Sequence, residues 1–121
     1  MLHLPFIYVR PSPLGGRGVY TAEPIPAGTV VERAPVVVLS PEDRAIIHGT
    51  GLHDYYFLWD GDGAAIALGY GSLYNHASEP NLAFEMDYEF EQIRFSAERD
   101  IAGGEELLID YVVGGGEALW F

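Results

Sequence analysis

The residues best equipped for chemistry sit in the stretch GYGSLYNHASEPN, which runs from Gly69 to Asn81 and centres on Asn75 and His76. Asn75 offers a carboxamide with donors and an acceptor, and His76 adds a backbone pair and a ring, so the two could read the polar edge of a purine. The same pair also reads as an Asn-His turn satisfied by its own backbone. A second candidate is Gly15, Gly16, Arg17 and Gly18, where glycine lets the main chain come close to a ligand. Taken alone, a GxG is as well explained by a turn, and no strand, GxGxxG and helix surround it as a dinucleotide site requires. The acids Glu105, Glu106 and Asp110 raise the question of a carboxylate acid-base pair for hydrolysis. Strand alternation turns neighbouring residues to opposite faces, which works against that reading. His3, His48 and His53 show no metal-ligand spacing such as HExxH, and no metal is expected.

These residues have to be positioned by many short elements. Residues 6–9 are apolar and β-prone and read as a first strand that ends at Arg10; Pro11, Pro13, Gly15 and Gly16 then make a loop. Residues 17–21 read as a second strand. The Val-rich run 29–39 is too long for one ideal strand and contains Pro35, so two strands or a bent one are expected, with the proline at an edge or break. Ser40 followed by Pro41, Glu42 and Asp43 is a helix start, and Gly49 limits that helix to about His48. Residues 54–59 and 64–68 flank the turn DGDG and form a hairpin. The apolar phase shifts between residues 82–90 and Ile93, which marks a turn or bulge near 87–91. A last block, 105–111, follows Gly103 and Gly104. Frequent glycine and proline turns between short strands argue a mainly β domain.

Composition narrows the function. The chain has 121 residues, enough for one domain with a modest core. Its 18 acidic residues face 6 basic ones, all arginine, for a net charge of −12. That balance opposes direct DNA or RNA binding, which depends on basic residues displacing counterions. It would draw in a basic peptide, although an acidic surface also serves plain solubility. Cysteine is absent, which excludes disulfides and thiolate chemistry. No apolar run is long enough to span a membrane and the first residues lack the features of a signal peptide, so an intracellular, cytoplasmic setting is expected.

Three blocks in order, SPLGGRGVYTAEPIPAGTVVE, the Asn75-His76 stretch, and RDIAGGEELLIDY, resemble the SET-domain protein-lysine methyltransferases. The layout is most similar to the minimal viral and small bacterial SET proteins. The resemblance implies a β-clip fold of several small sheets with one or two short helices and a C-terminal pseudoknot. It also implies a single SET domain over residues 1–121, without a pre-SET or cysteine-rich post-SET module. Implied with it is methyl transfer from S-adenosyl-L-methionine to lysine on a histone or other basic protein, leaving S-adenosyl-L-homocysteine.

By the same resemblance Tyr111, which ends the third block, is the catalytic residue. Gly15, Gly16, Arg17, Gly18, Tyr55, Asn75, His76 and Trp120 would bind the cofactor. Tyr55, Phe84, Ile109 and Tyr111 would line the substrate channel. Ile109 stands where many members carry phenylalanine or tyrosine, which leaves the number of methyl groups open. Ala77 replaces the usual serine, and Val112 the usual glycine after the tyrosine. A homodimer is implied by the viral relative, and a nuclear location if the host is eukaryotic or viral. A catalytically silent, peptide-binding SET fold is the alternative.

Overall fold

A computed structural model describes residues 3–113, 117 and 118. The elements in chain order are β1 (Ile7–Pro11), β2 (Arg17–Thr21), β3 (Val30–Leu39), α1 (Pro41–Ile47), β4 (Tyr56–Trp59), β5 (Gly63–Ala67), β6 (Asn75–His76), β7 (Leu82–Asp87), β8 (Gln92–Ala97), β9 (Glu106–Ile109), β10 (Val112–Val113) and β11 (Glu117–Ala118). They form a four-stranded sheet in the order β1-β2-β9-β6, a five-stranded sheet in the order β4-β5-β3-β8-β7, and the pair β10-β11. Apolar residues of both larger sheets share one core, in which Val19, Val31, Tyr56, Ile93, Phe95 and Leu107 are fully buried.

The long strand β3 resolves the expectation of a break at Pro35 in an informative way. It remains one strand but changes partners there: Val30 to Pro35 pair with β8, and Val36 to Leu39 pair with β5. Proline lacks a backbone donor, so the changeover falls where the ladder can spare one. The Pro35 carbonyl is still used, accepting from Leu68 N at 2.9 Å, and the next donor, Val36 N, reaches Glu91 O at 3.0 Å. A register shift between Val30 and Glu32 adds a second irregularity.

The helix forms where its cap predicts. Ser40 Oγ accepts from Asp43 N at 3.1 Å, Pro41 opens the first turn and two acids follow it. None of its residues is buried, so the cap and its own hydrogen bonds matter more to it than packing does. The β7-β8 turn is closed by Asp87, whose Oδ1 accepts from Phe90 N at 3.1 Å, with Glu91 at φ 49°.

What positions the site is the middle of the four-stranded sheet. β9 pairs antiparallel with β2, through Val19 with Leu107 and Tyr20 with Glu106. On its other edge it pairs parallel with β6, through Asn75 with Leu108 and His76 with Ile109. Three segments remote in sequence thus become neighbouring strands. Asn81 ties the arrangement: buried, it donates from Nδ2 to Glu106 O and accepts at Oδ1 from Leu108 N, each at 2.8 Å.

Candidate active site

Beside these strands lies a cleft of about 320 Å³, lined by Gly15, Gly16, Arg17, Asp54, Tyr55, Ser72, Leu73, Asn75 and Tyr111. A volume of that size falls in the range of about 300–1,000 Å³ usual for small-molecule sites. A narrow recess of about 10 Å³ adjoins it and shares Asp54, Tyr55, Ser72 and Tyr111 with the cleft. Phe57, Gly71, Tyr74 and Ile109 complete its walls. Gly71 faces Ala67 and Ala34 so closely that an added Cβ would lie 2.6 Å and 2.9 Å from their Cβ atoms.

The glycine turn supplies one wall because of its backbone. Gly15 and Gly16 have φ of 116° and 58°, conformations that side chains disfavour, and nothing lies within 4 Å of where a Cβ would project. Gly18 has a different function. A Cβ there would meet Glu106 Oε2 at 2.1 Å and Asn75 Nδ2 at 3.0 Å, so the bare backbone makes room for that pair rather than for a ligand.

Asn75 reaches the cleft from β6 with its amide orientation fixed. Nδ2 donates to Arg17 O at 3.0 Å and to Glu106 Oε2 at 2.8 Å, which uses both amide hydrogens. Oδ1 is left as the acceptor a ligand would meet. Glu106 is in turn held by Ser12 Oγ at 2.8 Å and by Tyr20 Oη at 3.3 Å, both donating to Oε1. Sequence reasoning set Glu106 aside as a strand acid. The signal that could have found it is the glycine two positions before Tyr20, in the strand β9 pairs with.

Tyr111 stands at the junction of cleft and recess. Its hydroxyl donates to the Tyr74 carbonyl oxygen at 2.6 Å, and its backbone N donates to His76 Nδ1 at 2.9 Å. Burial, then the carboxylates of Asp54 and Glu106 and the Tyr55 hydroxyl, push its pKa up to about 12. At neutral pH the phenol therefore keeps its proton, and its oxygen can accept a hydrogen bond from an amine rather than remove a proton.

The remaining expectations sort by place. Gly15, Gly16, Arg17, Tyr55, Asn75 and Tyr111 line the cleft, and Tyr55, Ile109 and Tyr111 line the recess. His76 lies outside both linings, its ring 5.0 Å from that of Tyr111, where it secures the turn after β9. Phe84 packs behind the recess wall, 6.1 Å from Phe57 and 6.2 Å from Phe95 between ring centroids, because its alternation phase points it into the core. Trp120 lies outside the described residues. Asp54, Ser72 and Leu73 are lining residues that sequence reasoning did not single out.

The SET domain model matches residues 16–112. The chain belongs to the SET-domain family. This SET domain is 38% identical over 115 residues to a Schizosaccharomyces pombe histone-lysine N-methyltransferase specific for H3 lysine 37, covering 93% of this chain and 75% of that one. Among solved structures it resembles a Plasmodium falciparum protein assigned as a histone methyltransferase, with TM-score 0.66, 30% identity and coverage of 89% and 98%. It also resembles a chain of the Chaetomium thermophilum Polycomb Repressive Complex 2 in a complex bound to S-adenosylmethionine, with TM-score 0.74 and 26% identity. That match covers 87% of the SET domain and 15% of the larger chain.

Proposed function

We propose that this SET domain is a protein-lysine N-methyltransferase that uses S-adenosyl-L-methionine. The observation that carries the reading is the placement of Tyr111 where a small-molecule cleft meets a narrow, aromatic-walled recess. When bound, S-adenosylmethionine would supply a methyl carbon on a sulfonium sulfur: as a neutral lysine nitrogen bonds to that carbon the C–S bond breaks, its electron pair stays on sulfur as the thioether, and the methylammonium proton can pass to water. The residues present fit such a group: an open glycine turn, the Asn75 acceptor and the Tyr55 ring border the cleft.

The chain's own contribution is alignment and desolvation. A lysine of ordinary pKa near 10.4 is neutral in only about one molecule in 2,500 at pH 7, a cost of about 4.6 kcal/mol. Apart from the exposed Asp54 at its rim, the recess is walled by residues such as Tyr55, Phe57, Tyr74 and Ile109, which disfavour the ammonium and lower that cost. The Tyr111 oxygen, its proton committed to Tyr74, accepts from the amine and points the nitrogen lone pair toward the cleft.

Further parts of the reading are ours. The substrate is a histone or another basic protein drawn by the acidic chain, the setting is intracellular, and the domain works as a homodimer without binding nucleic acid. The β-clip and C-terminal pseudoknot describe its arrangement. Incubation with labelled S-adenosylmethionine and a panel of basic proteins tests the activity. Transfer that falls about 100-fold in Tyr111→Phe is expected; uptake of peptide without transfer or cofactor binding would identify a silent module. Sedimentation showing only monomer at working concentration would reject the dimer.

A further inference from the structure

Asp54 is the charged residue that cleft and recess have in common. Its side chain lines both yet is 72% exposed, which sets it at their solvent-facing rim. It acts across that opening: after burial, its carboxylate is the largest influence on the Tyr111 hydroxyl. His53 lies beside it, with Nε2 4.0 Å from Oδ1. The described arginine ion pairs, Arg94 with Glu85 and Arg99 with Glu105, do not involve it.

We propose that Asp54 is a specificity-determining residue, which draws the ammonium of the target lysine to the mouth and holds it there until its proton passes to water. The inference rests on the lysine-methyltransferase reading above. Position decides what such a carboxylate does. Inside the recess it would favour the ammonium and oppose the loss of a proton that reaction needs. On a solvated rim its hold is weak and screened, about fivefold in affinity for a contact in high dielectric. It therefore assists arrival more than it hinders chemistry.

The test compares histone H3 peptides carrying either lysine or norleucine at position 37, the position for which the Schizosaccharomyces pombe relative is specific. Binding is measured by calorimetry with S-adenosylhomocysteine present, for the wild type, Asp54→Asn and Asp54→Glu, at low and high salt. The expected result is a lysine-to-norleucine affinity ratio about fivefold lower in Asp54→Asn, largely restored in Asp54→Glu, and reduced by salt in the wild type. In turnover, KM for the lysine peptide rises more than kcat falls. A ratio unchanged in Asp54→Asn overturns the proposal, as does a loss of kcat accompanied by a lower melting temperature. If the wild type transfers no methyl group but its ratio still depends on Asp54, the enzymatic reading fails while the lysine-selecting role stands. Transfer with an unchanged ratio overturns the role of Asp54 alone.

Discussion

Glu106 holds the amide of Asn75, accepting from Nδ2 at 2.8 Å, while Ser12 Oγ anchors the other oxygen of the same carboxylate at 2.8 Å. One side chain thus fixes which atom Asn75 presents to the cleft. Glu106→Ala is expected to weaken S-adenosylhomocysteine binding by about tenfold or more, the worth of one hydrogen bond to a charged group. Glu106→Gln should fall between, since its amide oxygen can still accept from Asn75. Calorimetric titration measures both, and unchanged affinity in Glu106→Ala would remove the carboxylate from any positioning role.

Gly18→Ala attacks the same relationship from the opposite side. The new Cβ would lie 2.1 Å from Glu106 Oε2, and that carboxylate is already tied to Ser12 and Asn75, so it has little freedom to retreat. Cofactor affinity is expected to drop about tenfold, with a loss of stability of about 1 kcal/mol, in the range of overpacking. Equal affinity for wild type and variant would show that Glu106 can shift without moving Asn75.

Tyr111→Phe removes the hydroxyl at the junction and should lower kcat by about 100-fold, the scale of losing one oriented polar group at a reacting centre, with cofactor affinity little changed. The raised pKa of about 12 gives a second readout. The folded pKa lies above the unfolded value near 10, so the stabilisation is complete below pH 10 and is lost as pH climbs from 10 through 12. Ultraviolet titration should show one late tyrosinate fewer in Tyr111→Phe than in the wild type, the still later one of the buried Tyr74 remaining in both, and no tyrosine ionisation limb in the rate profile near neutral pH.

Glu32 is 2% exposed and accepts from Tyr74 Oη at 2.7 Å and from Tyr70 N at 2.8 Å. Since the Tyr74 carbonyl also receives the Tyr111 hydroxyl, Glu32 supports the recess from behind. Glu32→Ala leaves one buried donor, Tyr74 Oη, and one part-buried donor, Tyr70 N, unmet and should destabilise the protein by about 2–3 kcal/mol in urea unfolding. Burial raises the Glu32 pKa from its ordinary 4.5, more than its hydrogen bonds and His3 lower it. A raised folded value means its contribution is complete below 4.5 and declines as pH rises through the folded pKa. The deficit of Glu32→Ala should therefore be largest in acid and shrink above that window; a deficit growing with pH would contradict the raised value.

The sequence was most legible where local chemistry decides. Ser40 and Pro41 mark the helix start, the turn at residues 88–91 follows from the shift in apolar phase, and the three site blocks fall into one sheet. It was least legible where the answer depends on what lies opposite. Nothing local distinguishes Glu106 from Glu105, because its meaning comes from Gly18 and Asn75 across the sheet. His76 has a partner that no local pattern shows, since its Nδ1 accepts from the Tyr111 backbone, 35 residues away. Asp54 passed unnoticed for the same reason: only folding brings it beside Tyr111.

The placement of β9 between β2 and β6 also governs how the protein can fail. Neither flank of that strand is an edge, so the part of the site carried by β2 and β6 cannot separate from β9 unless the sheet itself opens. Amide hydrogens of residues 106–109 should then exchange with deuterium only through global opening, and heat should extinguish ligand uptake at the temperature that melts the sheet. Catalytic lifetime and thermal endurance become a single property, open to selection only together.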